Sequence, residues 1–250
     1  MQVYRDDQFI QRRAKIGRYA NLGGMGILLF GLIVNLSMQT EGLLLSMLAL
    51  LVGFVMYQVG MYYTLRFGRP DRPDQILQKS LKGFDNRYAL FQYTGPAGNV
   101  LVTPNACLVF AIKMQGKGIQ YRNGKWKHVM GWQKFFLWLA GDSLGNPSRE
   151  AAGEVDSLQR YLAKKLPGVE IPLQPIIIFG NASAEVDAGD CPIPALHFKK
   201  LKDWLRGPGK SGSLQPEARD QIIVSWLSAD DLTGQRDKQQ AAAQQREYHP

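Results

Sequence analysis

Hydrophobic residues are concentrated in two uncharged runs near the start of the chain. The runs cover Ala20 to Met38 and Gly42 to Leu65, with lengths of 19 and 24 residues, and three residues separate them. A helix needs about 20 apolar residues to cross about 30 Å of hydrocarbon. Because so short a connection forces the two helices to run antiparallel, the pattern predicts a transmembrane hairpin over residues 19–65.

Two other kinds of segment resemble these runs but fit them less well. A signal peptide has a shorter apolar stretch and a small-residue cleavage site, and a second span does not follow it at once. A buried helix of a soluble core usually carries a polar stripe, whereas neither run contains a charged residue. The hairpin is therefore the preferred interpretation.

The cations that flank the runs predict the orientation of the hairpin. Five Lys and Arg residues precede the first run and three Arg residues follow the second, whereas the turn carries only Glu41. Positively charged residues stay on the cytoplasmic side of a membrane. We therefore expect a protein of the cell membrane with two spans, with the lipid bilayer as a partner and with both termini in the cytoplasm.

Small residues recur at intervals of seven within the two spans. They are Gly24 and Gly31 in the first span and Ser46, Gly53 and Gly60 in the second. Seven residues make two helical turns, so each helix presents a smooth face for close packing. The simplest interpretation is that this seam closes the hairpin; the alternative is that it binds other membrane proteins.

After the hairpin the chain changes to short apolar runs separated by turn residues. Such runs are typical of strands, and they cover Tyr88 to Tyr93, Val100 to Thr103, Leu108 to Lys113, Gly118 to Arg122, Trp126 to Met130 and Ile171 to Phe179. Helical periodicity is present in four segments: Asp74 to Leu81, Asn146 to Leu166, Lys199 to Arg206 and Pro216 to Leu227. The order predicts an α/β fold, with a small mixed sheet flanked by helices.

These patterns divide the chain into five parts. They are a basic cytoplasmic arm (1–18), the transmembrane helical hairpin (19–65), a linker (66–73), a cytoplasmic α/β domain (74–230) and a disordered tail (231–250). The tail is assigned to disorder because it has too little apolar surface to order itself.

The net charge of +9 is unevenly distributed. Residues 66–145 contain twelve Lys and Arg against four Asp, whereas residues 146–206 contain eight of each sign. Basic residues beside a bilayer are attracted to anionic lipid headgroups, and they also pair with nucleic-acid phosphates. Both partners remain open, and position favours the lipid.

A family resemblance appears in the first strands of the α/β domain. Gly98-Asn99-Val100-Leu101-Val102-Thr103-Pro104, then Leu108-Val109-Phe110-Ala111-Ile112-Lys113 and Gly116, resemble the core of the nuclease-related domain. The resemblance extends over residues 74–206, and it implies a restriction-endonuclease-like fold.

The resemblance also implies where the chemistry of such a nuclease would lie. The family holds Mg²⁺ between an Asp and a Glu, with a lysine beside them. Here Gly98 and Ala111 stand where the resemblance places the carboxylates, only Lys113 matches, and Glu150 stands where the family has a glutamine. Because Mg²⁺ requires anionic oxygen ligands, we expect no metal and no cofactor. The two cysteines and three histidines also lack the spacing of a metal cluster.

Residual nuclease activity would need carboxylates that have moved to other positions. Asp74, Asp85 and Glu150 are the candidates, and Mg²⁺ is expected only under this alternative. Without them, Lys113 is most simply a strand-end lysine that reaches solvent.

A second candidate surface is a run of cations along two paired strands. The cations are Lys113, Lys117, Arg122, Lys125 and Lys127, and the aromatic residues among and after them are Tyr121, Trp126 and Trp132. Cations with aromatic rings hold single-stranded nucleic acid through phosphate contacts and stacking. The competing interpretation is an ordinary solvated hairpin.

Together these observations predict a membrane-anchored cytoplasmic binding or scaffold protein with an inactive nuclease-like domain. The alternatives are a metal-dependent nuclease with relocated carboxylates and an accessory subunit of a larger membrane complex.

Overall fold

The computed structural model describes residues 1–38, 42–129, 143–207 and 214–227. The α-helices are α1 (Asp7–Met38), α2 (Leu43–Tyr63), α3 (Pro73–Ser80), α4 (Pro147–Lys165), α5 (Leu201–Arg206) and α6 (Pro216–Trp226). A π-helical turn (Thr64–Gly68) follows α2, and a 3-10 turn (Phe198–Lys200) precedes α5. The strands are β1 (Gln2–Arg5), β2 (Ala89–Gln92), β3 (Asn99–Val102), β4 (Cys107–Lys113), β5 (Ile119–Arg122), β6 (Lys125–His128), β7 (Leu173–Phe179), β8 (Val186–Asp187) and β9 (Ala195–His197).

The two apolar runs form helices α1 and α2, which are long and apolar enough to cross a membrane. They pack against each other along the predicted seam of small residues. A Cβ atom placed on Gly24 would lie 2.7 Å from the Tyr57 backbone nitrogen, and one on Gly53 would lie 3.0 Å from the Gly24 carbonyl oxygen. The small residues thus bring the two backbones together, so in this chain the seam closes the hairpin.

The expectation of a separate basic arm at residues 1–18 is wrong. Residues Gln2–Arg5 form β1, which pairs in parallel with β2. The Asp6 carboxylate then accepts a hydrogen bond from the Phe9 backbone N–H at 2.7 Å, which caps the start of α1. Helix α1 therefore begins in the α/β domain and continues without a break into the first apolar run.

The main sheet has six strands in the order β1-β2-β3-β4-β7-β9. Strands β2, β3 and β4 are antiparallel, whereas β4, β7 and β9 run parallel. Helices α4 and α6 cover one face through residues such as Leu158 and Ile222. Helices α3 and α5 cover the other through Leu77 and Leu201. The sheet is thus mixed and has helices on both faces, as the pattern of runs predicts.

A second sheet has three strands in the order β6-β5-β8. Asn123 and Gly124 connect β5 to β6, and both have positive φ angles, of 53° and 74°. Two successive residues of this kind make the hairpin turn that an Asn-Gly pair favours.

After the hairpin, the predicted helices and strands agree with the described elements to within a few residues, whereas α1 begins 13 residues before the predicted apolar run. Three strands have no counterpart in the predictions. These are β1, β8 and β9, which have only two to four residues each. Met130 and the tail from 231 to 250 lie outside the described residues.

Candidate functional site

A cavity of about 720 Å³ lies between the end of the second apolar helix and the α/β domain. Its wall on the hairpin side contains Tyr62, Leu65 and Arg66, and its other walls come from the end of β4 and from the first half of α4. This pocket is the region where the resemblance places the nuclease site, because both Ala111 and Lys113 line it.

Lys113 projects into the pocket and is bound to the first carboxylate of α4. Its Nζ donates a hydrogen bond to Glu150 Oε1 at 2.6 Å, and only 11% of the Lys113 side chain is exposed. Gly145, with a φ of +62°, lies beside this pair, and a Cβ atom there would approach Glu150 Oε1 to 3.0 Å. The expectation that Lys113 reaches solvent is therefore wrong, since Glu150 holds it within the pocket.

Glu154 is the second carboxylate of the pocket, one helical turn after Glu150. Its Oε2 accepts a hydrogen bond from the Gly98 backbone N–H at 2.8 Å. Burial raises the pKa of Glu154 above its ordinary value, although the Gly98 N–H and the nearby charge of Arg66 oppose this shift. The carboxylate is thus only partly compensated by its surroundings.

The Glu154 carboxylate also occupies the space in front of Gly98, where the resemblance places an aspartate. A Cβ atom on Gly98 would lie 3.6 Å from both Glu154 oxygens and 3.8 Å from Arg66 Nη2. An anionic group is therefore present at this point of the pocket, but it comes from a helix and not from the strand.

Tyr93 joins the pocket to the hairpin of α1 and α2. It has a positive φ of 58° at the end of β2, and its ring lies 5.8 Å from that of Phe9 in α1 and 5.4 Å from that of Phe67 after α2. Burial raises the pKa of Tyr93, and the Arg66 charge opposes this shift. These aromatic contacts fix the hairpin to the edge of the pocket.

The carboxylates of the pocket differ from the ligand set of a metal site. Among the described residues there is no group of three or more His, Cys, Asp or Glu side chains that could hold a metal ion. Glu150 is paired with Lys113, and Glu154 binds a backbone N–H next to Arg66. The lining of the pocket contains two carboxylates, Glu150 and Glu154, and three cations, Arg66, Arg69 and Lys113.

Of the three carboxylates proposed as relocated ligands, only Glu150 lies in the pocket. Asp74 is 1% exposed and accepts two hydrogen bonds from Arg72, at 3.0 and 3.1 Å. Asp85 forms an exposed ion pair with Arg87 at 2.7 Å. Sequence reasoning missed Glu154, although its spacing of four residues from Glu150 on a predicted helix was a usable signal.

The run of cations does not form one continuous surface with aromatic rings. Lys113 lies in the pocket, Arg122 is paired with Asp187, and Lys117 Nζ is 4.0 Å from Glu185. Lys125 and Lys127 are exposed on β6.

The aromatic residues near these cations are turned inward. Tyr121 is buried, and Trp126 packs on it and on Phe179 while its indole N–H donates to Ser148 Oγ at 2.7 Å. Trp132 lies outside the described residues. Tyr121 and Trp126 are therefore part of the packing and leave no open stacking platform.

Comparison of the chain with protein-family models, with curated proteins and with solved structures gave no match.

Proposed function

We propose that the protein is a membrane-anchored binding protein whose α/β domain faces the cytoplasm and does not cleave nucleic acid. The observation that carries this proposal is the pairing within the pocket. Lys113 is bound to Glu150, and the second carboxylate, Glu154, lies between a backbone N–H and the Arg66 charge. A divalent cation could bind the two carboxylates only by displacing Lys113 and Arg66. A ligand that carries both a positive and a negative group can instead pair with the carboxylates and with these cations at the same time.

The anchoring part of the proposal is supported by the two long apolar helices and by their connection to the domain. Because α1 begins at the main sheet and the aromatic residues around Tyr93 contact both helices of the hairpin, the pocket is held at a fixed distance from the end of the second span. The protein therefore binds its ligand beside the membrane surface.

The test uses the full chain in lipid nanodiscs with plasmid DNA and either Mg²⁺ or Mn²⁺. We expect no cleavage above that of a Lys113→Ala variant. Metal-dependent cleavage that is lost in Lys113→Ala, and retained in a Lys125→Ala control on the exposed β6 strand, would contradict the proposal.

A nuclease with relocated carboxylates is the second candidate, and one observation favours it. The Glu154 oxygens stand in front of Gly98, and Glu150 contacts Lys113, so two carboxylates and a lysine do share one pocket. Under this alternative, Glu154→Gln abolishes the metal-dependent cleavage as completely as Lys113→Ala does.

A further inference from the structure

The pocket begins where the second apolar helix ends. Tyr62 and Leu65 belong to the last turns of the apolar run, and both line the cavity. Tyr62 is 49% exposed, and its hydroxyl accepts a hydrogen bond from Arg66 Nη1 at 3.3 Å. If the run spans the bilayer, the mouth of the pocket lies at the level of the lipid headgroups.

The charges of the pocket select among headgroups. A purely anionic ligand bound to Arg66 would draw this cation away from Glu154 and leave a half-buried carboxylate without a counter-charge. Such an uncompensated charge is costly. A purely cationic ligand that pairs with Glu154 would in turn leave Arg66 without its counter-charge. A ligand that carries both signs replaces each lost contact with a new one.

Glu154 has the capacity to bind such a ligand. Its Oε2 accepts the Gly98 N–H, whereas Oε1 accepts no hydrogen bond from any residue in the described part of the chain. Burial raises the pKa of Glu154, which means that the existing contacts do not fully offset the loss of water around the charge. A positively charged hydrogen-bond donor at Oε1 would offset the remaining cost of burying the Glu154 carboxylate.

We infer that the pocket binds a zwitterionic phosphoester, with its phosphate toward Arg66 and its primary ammonium toward Glu154, as in a phosphatidylethanolamine headgroup. This inference rests on the proposed function, since it places the pocket beside the bilayer. The volume of about 720 Å³ lies within the range of about 300 to 1,000 Å³ that is usual for small-molecule sites. The ring of Tyr62 and the side chain of Leu65 then contact the glycerol region of the lipid.

The test measures binding of three short-chain lipids to the full chain in detergent by calorimetry. The lipids have ethanolamine, choline and glycerol headgroups. We expect the ethanolamine lipid to bind at least tenfold more tightly than the other two, because choline has no N–H donor and glycerol has no positive charge. Binding of the glycerol lipid as tight as that of the ethanolamine lipid would overturn the inference.

Variants assign the binding to the pocket. Glu154→Gln and Arg66→Gln should each weaken binding of the ethanolamine lipid at least tenfold, whereas Glu170→Gln, on the exposed surface beyond α4, should leave it unchanged. An unchanged affinity in Glu154→Gln would overturn the inference.

Two further measurements are needed. The first decides whether the ligand is a lipid or a soluble phosphoester, and the second tests whether the protein is anchored in the membrane. Glycerophosphoethanolamine, which has the headgroup without the acyl chains, should bind more weakly than the lipid; equal affinity would show that the ligand is a soluble phosphoester of the same chemistry. Resistance of the protein to alkaline extraction from membranes tests the anchor alone. A protein that stays in the membrane but binds no zwitterion would overturn this inference and leave the anchoring intact.

Discussion

At the residue scale, the arrangement of the pocket depends on two polar contacts to the side chains of helix α4. Lys113 and Glu150 form the closest contact, and Glu154 lies where the nuclease-related pattern has a strand carboxylate in front of Gly98. Comparison of the sequence with that pattern shows only that Gly98 has no side chain. The pocket nevertheless contains an anion at this point, because α4 crosses the end of the strand and brings its own carboxylates.

The raised pKa of Glu154 predicts how stability depends on pH. Its ordinary value is 4.5, and burial raises it in the folded protein. The folded state therefore favours the protonated form more than the unfolded state does, so the contribution of Glu154 to stability is present below pH 4.5 and is lost as the pH rises through the raised value. We expect Glu154→Gln, which is neutral at every pH, to melt at or above the wild-type temperature at pH 7.

The measurement is the melting temperature of both proteins in detergent across this pH range. The two temperatures should converge as the pH falls toward 4.5. A Glu154→Gln variant that is less stable than the wild type at pH 7 would show that the ionised form is stabilising, contrary to this account.

Placing a carboxylate at Gly98, just before β3, tests whether its absence prevents metal binding. A Cβ atom on Gly98 meets only ordinary contacts, at 3.6 Å and beyond, so Gly98→Asp should fold. The added carboxylate would stand beside Glu154 and provide two adjacent anionic ligands, the type that Mg²⁺ and Mn²⁺ prefer. We expect Mn²⁺ to raise the melting temperature of this variant and to leave that of the wild type unchanged. An equal rise in both proteins would show that the natural pocket already holds the metal.

At the element scale, the hairpin depends on close contact between two helix backbones. Gly24 and Gly53 face each other across the seam, and neither leaves space for a side chain. Gly26 lies two residues from Gly24 on an open face, where a Cβ atom would meet nothing within 4 Å. The two positions therefore provide a matched pair.

Gly24→Ala should destabilise the hairpin, and Gly26→Ala should not. A Cβ atom on Gly24 approaches the backbone of Tyr57 to 2.7 Å, and overpacking of this kind costs about 1 to 3 kcal/mol. Unfolding of the full chain in detergent with increasing denaturant provides the measurement. Equal stability of the two variants would contradict the packing described for the seam.

The first strand provides a second test at this scale. Tyr4 is 8% exposed, and its ring stacks on that of Phe91 at 4.7 Å. Replacement of a large buried aromatic residue by alanine costs about 3 kcal/mol or more, so Tyr4→Ala should destabilise the α/β domain. Gln11→Ala, at an exposed position of α1, is the control. A Tyr4→Ala protein as stable as this control would indicate that residues 1–18 do form a separate arm.

At the scale of the whole molecule, the hairpin and the α/β domain are parts of one continuous structure. The first strand is in the sheet, the first helix leaves the sheet, and the second helix returns to the wall of the pocket. Under the proposed anchoring, this connection means that the orientation of the hairpin determines on which side of the bilayer the pocket lies.

Cysteine labelling tests this orientation. Cys107 is buried, so a Cys191→Ser protein provides a background with little reactivity. We expect a membrane-impermeant maleimide to label Glu41→Cys in intact cells and to label Lys164→Cys, on the exposed face of α4, only after the membrane is disrupted. The reverse pattern would place the domain outside the cell.

The sequence by itself determined the hairpin and most elements of the sheet. Both leave a local record in the chain: long uncharged apolar runs for the two helices of the hairpin, and short apolar runs bounded by turn residues for the strands. The Asn123-Gly124 turn was also predictable, because it requires two successive positive φ angles that few residue pairs adopt.

Only the tertiary structure decided which residues meet in the pocket and where the chain starts its fold. Strand β1 is too short to stand out from a basic segment, and its pairing with β2 joins residues more than 80 positions apart. The contacts of Lys113 with Glu150, and of Glu154 with Gly98, likewise join an element of the sheet to a distant helix. Such contacts depend on the path of the backbone through space, and no local pattern of residues encodes that path.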